Sequence, residues 1–401
     1  MSLDAFICPI CRRPYPADVR SLFCRACGDP LLSAFVPKSP AIRRGRPMGV
    51  ARYLGFLPLP EFDPDLSLGE GGTPLFPLNR LRSAFRTPPL WVKNEAVNPT
   101  GSFKDRGSIV AIHMAKALGF ETVGTISTGN MAGSTAAYAA KAGLRTVVFI
   151  KDDTPLEKIL SAGMHGANVI RVRGNYARLF VKSFEIGRVL SFYFINSVDP
   201  YRIEGYKVTS FEIYEQMGGK APDYLFVPVS SGGHLIGLLR GFLDLKRAGR
   251  IRRLPRIVGV QARGCAPIAR TFARGRAAIV PVRKPQTIAH AIANPQPPAG
   301  RVVLKLLAAH GGAMEAVGET EILRAQRLLA EDEGLLSDPA SATVLAAFLR
   351  MSKEGRIPAD AASVLVLTGS GLKTLGDVDQ SRLRIAEADL SDLPQLMAAW
   401  K

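Results

Sequence analysis

From about residue 90 onward, short β-branched runs alternate with amphipathic stretches, and this alternation constrains the fold of the chain more than any other feature. The runs Trp91–Ala96, Thr122–Ile126, Thr146–Ile150, Asn168–Val172, Phe192–Asn196, Tyr224–Val229, Ile257–Gln261 and Ser363–Leu367 read as strands. Helical spacing fills the intervals, as in Asp105–Leu118, Met131–Ala142, His234–Lys246, Thr320–Glu333 and Ala340–Met351. Such alternation predicts an α/β fold, with parallel sheets covered on both faces by helices. Eight strands are many for one sheet, so two α/β domains are expected. In parallel sheets ligands sit beyond the carboxyl ends of the strands, which directs attention to the loops that follow them.

Four of those loops carry chemistry. Asn98-Pro-Thr-Gly-Ser-Phe-Lys104-Asp-Arg-Gly107 runs into a helix with Lys104 in its first turn. A cation is disfavoured at the positive end of a helix dipole, so this lysine loses its proton at lower cost. A neutral lysine amine can condense with an aldehyde and can later act as a base; a solvated surface lysine is the plain alternative. Ser127-Thr128-Gly129-Asn130-Met131 offers hydroxyls, an amide and free backbone N–H groups at a helix start, a nest for a carboxylate or simply a helix cap. Ser230-Ser231-Gly232-Gly233-His234 lets the backbone approach closely where a strand meets a helix, which suits a phosphate. Thr368-Gly369-Ser370-Gly371 places a hydroxyl at a strand end, or forms a glycine turn with no ligand.

The N-terminus adds a separate signal. Cys8-Pro-Ile-Cys11 and Cys24-Arg-Ala-Cys27 are two CxxC turns twelve residues apart. Each turn can present two thiolates to one metal, and the pair completes a tetrahedral four-sulfur site. A module this small has too few residues for its own core, so the metal would supply its folding energy. A closed four-cysteine site leaves no open position for catalysis, which favours a structural cap over a nucleic-acid-binding ribbon. Cys265 stands alone, as a small buried apolar residue.

Composition excludes other classes. The 401 residues are 47% hydrophobic and 21% charged, which allows a large core and is unlike a disordered chain. The net charge is +18, but the basic residues are dispersed, with denser runs at Arg43, Arg44 and Arg46 and from Lys246 to Arg256. Without an RNP-like motif or a basic tail, a solvated basic surface is the favoured reading over a nucleic-acid or membrane surface. The start MSLDAFICPICRR lacks a signal-peptide pattern, and no apolar run is long enough to span a bilayer. A soluble, cytoplasmic protein in a reducing compartment is expected.

Together the motifs NPTGSFKDRG, STGN, NSVDPYRIEGYK, VPVSSGGHLIG, GVQARGCAPI, EGLLSDPASA and LTGSGLK resemble the fold-type II pyridoxal 5′-phosphate (PLP) enzymes, most closely the threonine synthases. The similarity runs from about Gly69 to Lys373, and a zinc-ribbon start occurs in some threonine synthases of archaeal type. The resemblance implies a ribbon module at 1–35, a large PLP-binding domain at 36–119 and 206–401, and a small α/β domain at 120–205, in an enzyme that is expected to be a homodimer. It implies that Lys104 is the Schiff-base lysine, that Asn130 bonds the cofactor's 3′ oxygen, and that Ser230, Ser231, Gly232, Gly233 and His234 hold its phosphate. Thr368 would face the pyridine nitrogen as a neutral partner, which suits β/γ-elimination. Ser127 and Thr128 would grip the substrate carboxylate, and Asn196, Ser197 and Arg202 a phosphate carried by the substrate itself. The plain alternative for Arg202 is a surface ion pair with Glu204 or Asp199. The implied reaction converts O-phospho-L-homoserine and water to L-threonine and phosphate. The nearest rivals are a cysteate synthase or an O-phosphoserine-dependent synthase, and then a threonine dehydratase. Two departures from the family pattern bear on substrate choice: Met131 where Thr is frequent, and Ser231 and His234 where Asn is frequent.

Overall fold

The computed structural model describes residues 5–38, 40–127, 129–152, 154–174, 176–377, 385–386 and 389–398. Among them, thirteen strands form three sheets. Strands β1 (Ala5–Ile7), β2 (Pro14–Pro16) and β3 (Leu32–Ser33) make a small antiparallel sheet in the order β2-β1-β3. Six strands make the main sheet: β4 (Leu75–Pro77), β5 (Leu90–Asn94), β10 (Tyr224–Pro228), β11 (Arg256–Ala262), β12 (Ala313–Val317) and β13 (Ser363–Leu367). Their order is β12-β11-β10-β13-β5-β4, parallel except for β4 at the edge. The third sheet is wholly parallel, in the order β8-β7-β6-β9, from β6 (Thr122–Ile126), β7 (Arg145–Lys151), β8 (Asn168–Val172) and β9 (Tyr193–Phe194).

The helices, in chain order, are α1 (Asn79–Phe85), α2 (Lys104–Ala117), α3 (Asn130–Lys141), α4 (Leu160–Met164), α5 (Tyr176–Leu190), α6 (Pro200–Gln216), α7 (Gly233–Arg247), α8 (Pro267–Ala273), α9 (Gly300–Ala309), α10 (Glu319–Glu333), α11 (Pro339–Lys353) and α12 (Leu393–Ala398). Local chemistry sets their ends. Asp199 caps α6 by accepting the Arg202 N–H at 2.7 Å, with Pro200 preset in the first turn. Asp338 and Pro339 do the same for α11, where Asp338 accepts the Ser341 N–H at 2.7 Å. Gly334 closes α10 in the left-handed region that an αL cap requires.

Helix α6 decides where the site lies. It is buried from Pro200 to Tyr214 and packs against α2 and α7. The crossing with α2 is close because Gly107 and Gly205 meet there: a Cβ on Gly107 would stand 2.5 Å from Arg202 Cγ, and one on Gly205 would strike the Arg106 carbonyl. The same closeness forces the charges of α6 into pairs. Glu212 meets Lys93 at 2.7 Å and Arg106 at 2.7 Å, and Arg106 also pairs with Glu95. Lys207 meets Glu204 at 2.7 Å and Asp244 at 2.6 Å, while Arg240 takes the other Glu204 oxygen. Cys265 is fully buried. Among the described residues no helix is long and apolar enough to cross a membrane.

Candidate active site

The carboxyl ends of β5, β10 and β13 in the main sheet, and of β6 and β9 in the smaller one, supply the loops singled out above. Backbone bonds tie several of them together. The Phe103 N–H donates to the Thr368 carbonyl at 3.0 Å, and the Ser370 N–H to the Gly101 carbonyl at 3.0 Å. Lys104 is the first residue of α2 and is half-buried. Burial, and then the charge of Arg202, bring its ammonium down to about 7. Its Nζ lies 4.3 Å from the centroid of the Phe103 ring.

The Phe103 ring carries His234 on its face, with centroids 3.8 Å apart and planes 22° apart. His234 is the second residue of α7 and is buried. Burial and the neighbouring cations Lys104 and Arg106 hold it neutral, well below the ordinary histidine range. Neither ring nitrogen has a hydrogen-bond partner among the described residues. Gly232 before it has φ +103°, and a Cβ there would come within 2.6 Å of Val303 Cγ2. A Cβ on Gly233 would come within 2.7 Å of the Ser197 carbonyl. Thr368 is buried, and Ser341, which sequence reasoning did not single out, holds it: the two hydroxyls are 3.1 Å apart, and the Thr368 N–H donates to Ser341 Oγ at 2.9 Å. Asn130 opens α3 beside this strand end, where its Nδ2 stands 3.3 Å from where a Cβ on Gly369 would be.

Arg202 is fully buried, yet it makes neither of the ion pairs that its neighbours offered. Asp199 takes its backbone N–H, and Glu204 is engaged with Lys207 and Arg240. The guanidinium instead donates to three hydroxyls: Tyr206 at 3.0 Å, Thr135 at 3.2 Å and Ser108 at 2.9 Å. No carboxylate lies within ion-pair distance of it among the described residues. Thr135 stands one helical turn beyond Met131 on the same face of α3, so a hydroxyl is present close to where Met131 lacks one. Ser108 continues into a chain: its Oγ is 2.6 Å from Ser134 Oγ, which donates to Asp105 at 2.6 Å.

The other expected substrate groups are arranged differently. The Asn196 side-chain oxygen accepts the Ile126 N–H at 2.9 Å, and its amide donates to Ser183 at 3.3 Å, so the side chain also ties β6 to α5. Ser197 and Ser127 are half-buried, and Ser127 Oγ accepts the Gly129 N–H at 3.2 Å. Thr128 lies outside the described residues.

These residues fit pyridoxal phosphate. They include an amine held near neutrality, a buried hydroxyl at a strand end, a glycine turn open to close backbone approach, and a buried imidazole with both nitrogens unpartnered. Residues 66–369 match the family described as pyridoxal-phosphate dependent enzyme. The chain is also 40% identical over 331 residues to a threonine synthase of Methanocaldococcus jannaschii, covering 82% of each chain. It is 38% identical to one from Methanosarcina acetivorans, covering 81% of this chain and 80% of that one. The chain belongs to the threonine synthase family of PLP-dependent enzymes.

Solved structures share the fold. Maize serine racemase superposes with TM-score 0.62 at 21% identity, covering 82% of this chain and 93% of that one. A threonine deaminase from Solanum lycopersicum gives 0.64 at 19% identity, covering 92% and 93%. The α/β fold of parallel sheets expected from the sequence is thus the fold of this threonine synthase family member.

The four N-terminal cysteines converge. Their sulfurs all lie within 4.8 Å of one another, with Cys8 and Cys27 at 3.3 Å and Cys11 and Cys24 at 3.6 Å. A tetrahedral zinc with bonds of about 2.3 Å sets its sulfurs roughly 3.8 Å apart, so the cluster fits one such ion. Burial raises the Cys24 thiol, but the Tyr15 hydroxyl and the N–H groups of Cys27 and Ala26 outweigh it and bring it to about 6.

Proposed function

We propose that this enzyme converts O-phospho-L-homoserine and water to L-threonine and inorganic phosphate. Arg202 is the observation that carries this reading. Among the described residues the buried guanidinium is hydrogen-bonded to hydroxyls, with no carboxylate in ion-pair distance, which calls for an anion, and a substrate phosphate supplies one with bidentate geometry. Substrates without phosphate leave that charge unpaired, which sets this site apart from a dehydratase.

Lys104 would hold PLP, with the Ser230–His234 turn at its phosphate, Asn130 at its 3′ oxygen and Thr368 at its ring nitrogen. PLP, when bound, delocalises electron density from the substrate carbons next to it. The near-neutral amine of Lys104 would take protons from substrate Cα and then Cβ and return one at Cγ; water would then add its hydroxyl at Cβ, and a proton would return to Cα. Arg202, with Asn196 and Ser197, keeps the phosphate in place as it leaves Cγ, and Ser127 and Thr128 hold the carboxylate. Thr368 would be a neutral partner by its own hydroxyl, held in place by Ser341.

The same reading includes a structural zinc on Cys8, Cys11, Cys24 and Cys27, a homodimer and a cytoplasmic location. Phosphate release from O-phospho-L-homoserine and from O-phospho-L-serine decides the substrate. Threonine formed from the first supports the reading. Turnover of the second alone assigns the site to an O-phosphoserine-dependent synthase.

A further inference from the structure

The ribbon is not a free appendage. Phe6, Leu22, Leu31 and Leu32 belong to the same buried cluster as Leu235 of α7 and Val302 and Val303 of α9. Helix α9 grips both metal-binding turns by their backbones. Lys305 Nζ donates to the Ile10 carbonyl at 2.8 Å, inside the first turn. Arg301 Nη1 donates to the Cys27 carbonyl at 3.3 Å, at the end of the second, and pairs with Asp29 at 2.8 Å.

The start of α9 meets the glycine turn after β10. The Ala299 N–H donates to the Ser231 carbonyl at 3.2 Å. Asn294 Nδ2, just upstream, donates to Ser231 Oγ at 3.1 Å. Val303 and Ala299 fill the space beside Gly232, leaving no room for a Cβ. Helix α9 therefore holds the ribbon by Arg301 and Lys305 and carries the turn by Val303 and by its cap residue Ala299.

We infer that the four-cysteine ribbon braces α9 and, through it, the cofactor-phosphate turn, so that metal loading of the ribbon and retention of PLP are coupled. This rests on the assignment of the Ser230–His234 turn to the cofactor phosphate. Arg301 and Lys305 are positioning residues in this scheme. The metal supplies the order of the ribbon, and the ribbon limits how far the first turn of α9 can move.

The experiment uses full-length holoenzyme of measured zinc content. Zinc is displaced with a mercurial thiol reagent and followed with a metallochromic dye, while PLP release is followed by its own absorbance and the fold by far-ultraviolet circular dichroism. Loss of zinc is expected to speed PLP release about tenfold with the α/β signal retained. The R301A/K305A double variant alters two exposed side chains and tests the link without removing metal. It is expected to keep its zinc and release PLP severalfold faster, with the affinity for pyridoxal, which lacks the phosphate, unchanged. Unchanged PLP release in the zinc-free protein or in the double variant overturns the inference, as does a protein purified without stoichiometric metal. G232V separates this from the assignment beneath it: if that variant binds PLP as tightly as wild type, the turn does not hold the phosphate, whatever the ribbon does.

Discussion

His234 lies flat on Phe103, with ring centroids 3.8 Å apart, so the residue before Lys104 and the first turn of α7 are held as one unit. The stack uses the faces of the imidazole and leaves both ring nitrogens free of protein partners among the described residues. His234→Phe keeps the stacking surface and removes the nitrogens. A lost hydrogen bond to a charged group costs about 1.5–3 kcal/mol, or roughly 10- to 100-fold in affinity. PLP affinity measured by absorbance should fall by that factor in H234F, with melting temperature nearly unchanged. Wild-type PLP affinity in H234F would remove His234 from the phosphate site.

Lys104 makes PLP capture dependent on pH. Burial and the Arg202 charge depress its ammonium to about 7, so the neutral amine is the majority form above that pH and the minority below it. Recombination of the PLP-free enzyme with PLP, followed by stopped-flow absorbance, should slow about tenfold for each pH unit below 7 and level off above it. Arg202→Leu removes the second cause, so the break should move to higher pH. A profile that keeps rising to pH 10 in the wild-type enzyme would show an ordinary lysine.

The fold was legible where burial is uniform. Strands β10 and β13 are buried along their whole length and read as continuous apolar runs, as central parallel strands do. The edge strands β4 and β12 were missed because they are only partly buried, and β12 carries Glu315 while β4 ends at Pro77. Helix α6 was not among the helical stretches read from the sequence, and its Glu204, Lys207 and Glu212 are fully buried. Their partners Asp244, Lys93 and Arg106 come from α7, β5 and α2, and no sequence period announces such pairings. Around Arg202, the i,i+4 spacing to Tyr206 was the one local signal; Ser108 and Thr135 arrive from other helices. Ser341 lay within the EGLLSDPASA motif, but its bond to Thr368 depends on how α11 meets β13.

Arg202→Leu tests the substrate phosphate directly. Removing one member of a buried charge pair costs about 2–5 kcal/mol, which is roughly 30- to 5,000-fold in kcat/KM for O-phospho-L-homoserine. Measured at a pH above the Lys104 break of both proteins, the PLP spectrum and PLP affinity should stay near wild type, because Arg202 bonds Tyr206, Thr135 and Ser108 and not the Ser230–His234 turn. An equal loss of PLP and of turnover would place Arg202 in the cofactor site.

Ser134 joins the two ends of the site through hydroxyls, from Arg202 by way of Ser108 to Asp105 beside Lys104. Ser134→Ala leaves the buried Ser108 hydroxyl without its acceptor, while Asp105 keeps Thr100, at a cost of about 1–3 kcal/mol. The expected signature is a higher KM for the phosphorylated substrate, with S134C, which keeps a weak donor, in between. A KM for S134A equal to wild type would reduce the chain to packing.

Glu212 gives the fold its acid limit. Burial raises its carboxyl, but the charges of Arg106 and Lys93 outweigh burial and hold it at about 2, below the ordinary 4.5. A depressed carboxylate stabilises the folded chain above its unfolded value, and that contribution is lost as the pH falls from about 4.5 toward 2. Glu212→Gln keeps the shape but leaves Lys93 and Arg106 with only Glu95 to balance two buried cations. Breaking such a buried network from one side costs about 3–5 kcal/mol. Urea unfolding of E212Q at pH 7 should show a loss of that size, and its stability should depend less on pH between 4.5 and 2 than that of the wild type. A midpoint and an acid limb that both match wild type would mean that solvent, and not Arg106 and Lys93, compensates this carboxylate.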